Sequence, residues 1–141
     1  MSNSLYKTTA TAIGSRNGTV SLSDNPTTFK LEKPSNLGGK GADKGLNPEQ
    51  LLASGYSACY AGAIDYLIEH KKLDAKLSKM ECSVELVEKE IGFKFQINLT
   101  AYFSNINEND ANNLLKQAHK VSPFSHAFGS NINIKTNFKL V

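Results

Sequence analysis

The most regular hydrophobic pattern in the chain predicts a helix from Asn47 to about His70. Apolar residues recur there at steps of three or four, which is the spacing of one helix face. They are Leu52, Tyr56, Cys59, Ala63 and Leu67. The start is well marked, because Asn47 suits the N-cap, Pro48 suits the first helical position and Gln50 can close a capping box. We therefore expect a central, buried helix with Cys59 on its apolar face.

Before this helix, β-forming residues predict three short strands joined by tight turns. The strands are Leu5 to Ile13, Val20 to Ser23 and Thr27 to Lys33. The first turn, residues 14–18, places Arg16 at a loop tip, and Asp24-Asn25-Pro26 makes the second turn. A glycine-rich loop, residues 36–45, then leads into the helix. This loop lacks the Gly, Lys and Ser/Thr spacing of a P-loop, so the sequence does not favour phosphate binding.

After the helix, the pattern predicts two strands, a second helix and a final strand. The predicted elements are Lys76 to Glu88, Ile91 to Phe103, Asn107 to Lys120 and Ile132 to Leu140. The first of these strands alternates cleanly, with Met80, Cys82, Val84 and Leu86 on the face that should meet the core. This order of elements indicates an α+β fold with helices packed on antiparallel sheets.

Composition adds limits on partners and location. With 141 residues, the chain (1–141) is expected to be a single domain, and a formal net charge of +3 is too small to argue for nucleic acid or membrane binding. Two cysteines, no signal-peptide pattern and no apolar stretch of spanning length predict a cytoplasmic protein with reduced thiols. Fifteen of the sixteen basic residues are Lys and only Arg16 is Arg, so this position is a candidate for a role that needs the planar guanidinium.

The three histidines do not suggest a metal site. His70, His119 and His126 have no metal-ligand spacing with one another or with either cysteine. We expect them at the surface or in loops, and we expect no bound metal.

Cys59 becomes a candidate nucleophile only in combination with other residues. A cysteine on an apolar helix stripe is usually a small core residue. A reactive cysteine needs its thiolate, which is only a few per cent populated at pH 7 for an ordinary thiol, and a nearby cation raises that fraction. Arg16 can supply the cation, and Glu49 can hold its guanidinium by a bidentate pair.

The length of the helix separates two members of this set. Glu49 and Cys59 are ten residues apart, which corresponds to about 15 Å along an unbroken helix. Either the helix breaks near Gly55, or Glu49 serves Cys59 of a second chain. The small residues Gly55, Ala58 and Gly62 favour the second arrangement, because they let two copies of the helix pack closely. We therefore expect an obligate homodimer with two equivalent sites.

Several motifs resemble those of one protein family. Asn47-Pro48-Glu49-Gln50-Leu51 and Gly55-Tyr56-Ser57-Ala58-Cys59 resemble the signature of the organic hydroperoxide resistance (Ohr) branch of the OsmC superfamily. Residues 9–18 resemble the first hairpin of that family, and Leu37-Gly38-Gly39 resembles its glycine-rich loop. The resemblance covers the whole chain. It implies an OsmC-like fold of antiparallel sheets around a long central helix, in an intertwined homodimer.

The resemblance also implies an activity and roles for individual residues. Family members are thiol peroxidases that reduce organic and fatty-acid hydroperoxides in oxidative-stress defence. By motif, Cys59 attacks the distal peroxide oxygen and becomes a sulfenic acid, with Arg16 and Glu49 completing the site. No bound cofactor is implied, and the expected reductant is an external dithiol of the lipoyl type, carried by a lipoylated protein or a small molecule. Apolar residues that would suit a greasy substrate are Tyr56, Tyr60, Phe124 and Phe128.

The chain departs from the family pattern at the resolving step. The family carries Cys-Pro-Tyr-Ser where this chain has Ser122-Pro123-Phe124-Ser125, and Ser122 cannot form a disulfide. Three outcomes remain open. In the first, an external thiol reduces the Cys59 sulfenic acid directly. In the second, Cys82 acts as the resolving thiol, although its strand position is rigid. In the third, turnover is lost and a hydroperoxide- or lipid-binding protein is left.

Overall fold

The structure, a computed structural model, describes residues 3–41 and 44–141. Its strands and α-helices in chain order are β1 (Ala10–Ile13), β2 (Thr19–Leu22), β3 (Thr28–Lys30), α1 (Pro48–His70), β4 (Lys76–Glu88), β5 (Phe93–Ser104), α2 (Glu108–Val121), α3 (Pro123–Phe128) and β6 (Asn133–Leu140). This is the expected α+β layout with one additional short helix. The chain divides into two compact units, the first ending at Leu51 and the second running from Leu52 to Val141.

The first unit is built on a three-stranded antiparallel sheet in the order β1-β2-β3. The predicted strand from Leu5 is too long, because β1 begins only at Ala10, where pairing with Leu22 of β2 starts. Among the described residues, 3–9 have no opposing β2 residue in the register. The predicted strand from Thr27 to Lys33 is likewise shortened to the three residues of β3.

The loop predicted over residues 36–45 contains more local structure than the sequence indicated. Ser35–Leu37 form a 3-10 turn that ends at Gly38, whose φ of 86° lies in the left-handed region that favours glycine. Ala42 and Asp43 of the predicted loop lie outside the described residues.

The second unit contains a three-stranded sheet in the order β4-β5-β6. β4 and β5 pair antiparallel over almost their whole length, as predicted. The expectation of an antiparallel sheet is wrong for β6, which runs parallel to β5 from the Gln96–Asn133 pair onward. Parallel pairing is possible here because the connection through α2 and α3 is long enough to carry the chain back to the starting end of β5.

A single hydrophobic cluster lies between the helices and the sheet of the second unit. Along α1, Tyr56, Ala63 and Leu67 are buried as the stripe predicted, and Tyr60 and Ile64 widen it. The sheet contributes fully buried residues from β5, and α2 contributes its apolar face. These are Ile97, Leu99, Ala101, Phe103, Ala111, Leu114, Leu115 and Ala118. Packing of this kind holds α1 and the start of α3 in fixed positions.

α2 confirms the predicted second helix to within one residue at each end. Asn107 caps it by accepting a 2.8 Å hydrogen bond from the backbone of Asp110. The helix α3 that follows was not predicted. Its signal is the Ser122-Pro123 pair, because serine suits an N-cap and proline suits the first helical position. No helix among the described residues is long and apolar enough to cross a bilayer.

Candidate active site

Arg16 and Glu49 form the ion pair that the sequence predicted. Two parallel hydrogen bonds connect them, Nη2 to Oε1 at 2.7 Å and Nη1 to Oε2 at 3.0 Å. The Glu49 side chain is 14% exposed and that of Arg16 is 36% exposed. Hydrogen bonds from the guanidinium lower the pKa of the Glu49 carboxyl, so this carboxylate is ionised at neutral pH. The pair therefore presents a guanidinium whose orientation is set by its carboxylate partner.

Two glycines position Arg16 through backbone geometry. Arg16 lies in the 3-10 turn Ser15–Asn17 between β1 and β2. Gly14 has a φ of 80°, and a Cβ on Gly18 would lie 1.7 Å from the carbonyl oxygen of Ile13. The positive φ favours glycine at position 14 and the close approach requires it at position 18, so the tight turn depends on both.

Glu49 is positioned by the start of α1. The side chain of Asn47 accepts a hydrogen bond from the backbone of Gln50 at 2.8 Å, and the Gln50 side chain accepts one from the backbone of Asn47 at 3.0 Å. This reciprocal pair is the predicted capping box. It fixes the first turn of the helix, where a carboxylate is also favoured by the helix dipole.

Cys59 is a free, half-buried thiol on α1. Its Sγ lies 3.6 Å from the Oγ of Ser122, which is completely buried. Ser122 comes from the junction of α2 and α3, 63 residues further along the chain. The position at which the sequence predicted a missing resolving thiol therefore lies within contact distance of Cys59.

An aromatic cluster lies one turn of α1 away from Cys59. Tyr56 stacks on Phe124 with ring centroids 5.4 Å apart and contacts Phe128 at 5.7 Å. A Cβ on Gly55 would lie 3.2 Å from the Phe124 ring, so the glycine lets this ring approach the helix closely. These contacts bring three of the four predicted substrate-pocket residues together.

The hydroxyl of Tyr56 is buried and hydrogen-bonded. It lies 2.6 Å from the Oγ of Ser125, which is also buried. Burial raises the pKa of Tyr56, and the hydrogen bond with Ser125 offsets part of that rise. The phenol therefore stays neutral at physiological pH.

Tyr60, the fourth predicted pocket residue, lies in the core. Its ring is fully buried, and its hydroxyl donates a 2.7 Å hydrogen bond to the carbonyl of Leu115 on α2. Burial strongly raises its pKa. Tyr60 reaches the cluster only through an edge contact with Tyr56, at 6.2 Å between ring centroids.

Cys82 lies on the core face of β4, as predicted, directly opposite Leu99 of β5. Burial raises its pKa to about 11. At pH 7 such a thiol is ionised in only about one molecule in ten thousand. Cys82 is therefore a half-buried packing residue whose thiolate is scarcely populated.

The histidines differ from one another. His70 and His126 are exposed, as expected. The expectation is wrong for His119, which is half-buried on α2 and has a buried Nδ1 without a hydrogen-bond partner. Its position four residues after Leu115 places it beside the apolar face, which is the signal that could have found it. No group of three or more His, Cys, Asp or Glu side chains in residues 3–41 and 44–141 is arranged to hold a metal ion.

Helix α1 is continuous from Pro48 to His70. The alternative in which it breaks near Gly55 is therefore wrong. Of the small residues on this helix, Gly55 packs against Phe124, whereas Ala58 is exposed and a Cβ on Gly62 would meet no atom within 4 Å. The open part of the small-residue strip is thus Ala58 and Gly62.

Comparison with known proteins gives a consistent result. Residues 41–137 match the sequence profile of the OsmC family, described as OsmC-like protein. The chain is 34% identical over 137 residues to the organic hydroperoxide resistance protein-like 2 of Staphylococcus epidermidis, covering 96% of each chain. It is 36% identical over 132 residues to the organic hydroperoxide resistance protein of Xanthomonas axonopodis pv. citri, covering 92% of each chain.

Solved structures agree with these sequence relationships. A crystal structure of an organic hydroperoxide resistance protein from Legionella pneumophila superposes with a TM-score of 0.89 at 37% identity. That superposition covers 97% of this chain and 99% of the other. A high TM-score over almost the full length shows a shared fold.

Proposed function

Because this chain belongs to the OsmC family and to its organic hydroperoxide resistance (Ohr) branch, we propose that it is a thiol peroxidase that reduces organic hydroperoxides to alcohols. The observation that carries this proposal is the half-buried thiol of Cys59 on the same helix face as the aromatic cluster of Tyr56, Phe124 and Phe128. Such surroundings suit an apolar peroxide, including a fatty-acid hydroperoxide, better than hydrogen peroxide. The cellular role would be oxidative-stress defence in the cytoplasm.

In the proposed reaction, the Cys59 thiolate attacks the terminal, hydrogen-bearing oxygen of the hydroperoxide. A sulfur–oxygen bond forms as the oxygen–oxygen bond breaks, so the sulfur is oxidised to a sulfenic acid. The leaving alkoxide takes one proton from solvent and becomes the alcohol. Negative charge is transferred from sulfur to oxygen during this step, and a fixed guanidinium is well suited to stabilise it.

Arg16 supplies that guanidinium in the proposed site, and the Glu49 carboxylate orients it. Since α1 is unbroken, the ten-residue separation of Glu49 and Cys59 corresponds to about 15 Å of helix. We therefore place the pair of one chain beside Cys59 of a second chain, in a homodimer with two equivalent sites. The open strip of Ala58 and Gly62 supports close packing of two such helices.

Turnover in this proposal needs an external dithiol. Ser122 has no thiol, and Cys82 is held in a strand with a pKa of about 11, which disfavours its attack on a sulfenic acid. One thiol of the dithiol instead attacks the Cys59 sulfur, releasing water and forming a mixed disulfide. The second thiol then displaces the Cys59 thiolate and closes a cyclic disulfide, as a lipoyl group can do.

The test combines kinetics with mass spectrometry. Reduced protein is mixed with tert-butyl or cumene hydroperoxide and dihydrolipoamide, and peroxide loss is followed together with oxidation at Cys59. We expect rapid oxidation of Cys59 and many turnovers. Cys59→Ser should abolish both, whereas Cys82→Ala, a matched removal of the other thiol, should retain them. A Cys59 that does not react with either peroxide would overturn the proposal.

The second candidate is a binding protein that has lost turnover. The observation in its favour is the serine at position 122, since no second thiol lies there to protect the sulfenic acid. In the same experiment, this function predicts that two equivalents of peroxide are consumed per Cys59, one for the sulfenic acid and one for its over-oxidation to sulfinic acid, despite excess dihydrolipoamide.

A further inference from the structure

The backbone holds Ser122 rigidly beside Cys59. The Ser122 amide donates a 2.8 Å hydrogen bond to the carbonyl of Ala118, and its carbonyl accepts a 3.0 Å bond from the amide of His126. Pro123 restricts the preceding residue to extended conformations, and Ser122 has φ −65° and ψ 124°. The end of one helix and the start of the next thus fix where this side chain points.

The hydroxyl of Ser122 is not used to cap α3. A serine at an N-cap normally accepts a hydrogen bond from a backbone amide of the first turn. Here the N-cap side chain makes no such bond, and its Oγ instead lies 3.6 Å from the Sγ of Cys59. A fully buried hydroxyl is costly to leave unpaired, so the sulfur is the partner that satisfies it.

The direction of this hydrogen bond depends on the state of the sulfur. A serine hydroxyl can donate or accept, and so can a thiol. A thiolate can only accept, so in that state Ser122 must donate. Hydrogen bonds to an ionised partner are about twice as strong as those between neutral groups. A donor fixed beside the sulfur therefore favours the ionised form over the neutral one.

We propose that Ser122 is a positioning residue that donates a hydrogen bond from Oγ to the Cys59 sulfur and increases the fraction of Cys59 present as thiolate at neutral pH. This inference deepens the proposed function and rests on it for its biological meaning. The same side chain cannot form a disulfide. The residue that activates Cys59 for oxidation therefore leaves the resulting sulfenic acid to an external thiol.

The test measures thiolate without any peroxide. Iodoacetamide reacts with the thiolate, which displaces iodide and forms a carbon–sulfur bond, and peptide mass spectrometry reports the rate at Cys59 separately from Cys82. For Ser122→Ala we expect a rate about tenfold lower at neutral pH and a profile displaced to higher pH. The limiting rate at high pH should stay within about twofold of the wild-type value, because the thiolate itself remains equally accessible.

Ser125→Ala is the matched control. It also removes one buried serine hydroxyl, three residues after Ser122, but that hydroxyl bonds to Tyr56 rather than to Cys59. Its alkylation profile should follow the wild type. Far-UV circular dichroism and thermal unfolding establish that both variants are folded. An unchanged profile for folded Ser122→Ala, or an equal displacement for Ser125→Ala, would overturn the proposal.

A second variant tests the placement of residue 122 even if Ser122→Ala does not fold. In Ser122→Cys, diamide should accept one hydrogen from each thiol and leave a disulfide between residues 59 and 122. Absence of that disulfide in the folded variant would contradict the contact between these side chains. Neither experiment uses a peroxide. The two proposals can therefore fail separately. If Ser122→Ala slows alkylation of Cys59 but wild-type Cys59 does not react with tert-butyl hydroperoxide, the proposed function is refuted and this inference stands.

Discussion

The two compact units of the chain hold their functional groups in different ways. Among the described residues of the first unit, Leu31 is the only buried hydrophobic side chain, whereas the second unit has a cluster of thirteen buried residues. In the first unit, Leu5 is 97% exposed and Ile13 is 69% exposed. Turns, caps and a salt bridge therefore fix the Arg16–Glu49 pair, while dense side-chain packing fixes Cys59.

This difference indicates where each half of the proposed site is vulnerable. The thiol half should respond to changes in the core, because packed interiors transmit small changes in volume. The charged half should respond to changes in hydrogen-bond geometry and in pH.

The largest expected effect separates the two units by stability. Leu99→Ala removes a fully buried side chain from β5 and should lower the free energy of unfolding by about 2–5 kcal/mol. Ile13→Ala removes a mostly exposed side chain from β1 and should cost less than about 1 kcal/mol. Urea unfolding at equal protein concentration measures both. Equal losses would show that Ile13 is buried in the native protein and that the contrast between the units is not real.

The next effect tests the geometry of the charged half. Arg16→Lys keeps the positive charge but loses the fork that meets both oxygens of Glu49. Oxidation of Cys59 by cumene hydroperoxide should slow by about a hundredfold, without loss of thermal stability. Stopped-flow kinetics of the reduced protein measure this rate. Lys30→Arg, an exchange of the same two residue types on β3, should leave the rate within about twofold. Unchanged kinetics for Arg16→Lys would remove Arg16 from the mechanism.

A smaller effect is expected at the open strip of α1. In one chain a Cβ at position 62 would meet no atom within 4 Å and the position is exposed, so Gly62→Leu should not weaken the folded monomer. In the proposed dimer it should raise the dissociation constant by about tenfold or more, because it separates two closely packed helices. Sedimentation velocity over a range of concentrations measures this. Asn112→Leu places the same side chain on an exposed position of α2, away from the strip, and should leave the dimer intact. A wild-type monomer would contradict the proposed assembly.

The smallest effect is a pH dependence of the Arg16–Glu49 pair. The pKa of Glu49 is lowered in the folded state, so the pair contributes stability at pH values above the ordinary glutamate pKa of 4.5. That contribution is lost as the pH falls through the lowered folded value. Because the pair is partly exposed, we expect less than about 1 kcal/mol. The stability difference between wild type and Glu49→Gln should thus be present at pH 7 and vanish in acid. A difference that is independent of pH would mean that ionisation of Glu49 does not contribute.

Much of the fold was predictable because its signals are local. The start of α1, the two long strands of the second unit and the helix α2 follow from caps and periodicity within a few residues. The pairing of Arg16 with Glu49 was predictable from chemistry, since both the single Arg and the acidic first turn were visible. Their catalytic roles stay predictions. The parallel direction of β6 was not predictable, because strand direction depends on how a long connection crosses the sheet.

The sequence by itself indicated the candidate reactive residues, and it determined the helix that carries Cys59 and the family to which the chain belongs. It also indicated that residue 122 lacks the expected thiol. Only the tertiary structure decided that the Ser122 hydroxyl lies against the Cys59 sulfur, that Tyr60 is buried in the core and that His119 is half-buried. These outcomes depend on packing between segments dozens of residues apart, and a periodic pattern specifies the face of an element but not the atom that it meets.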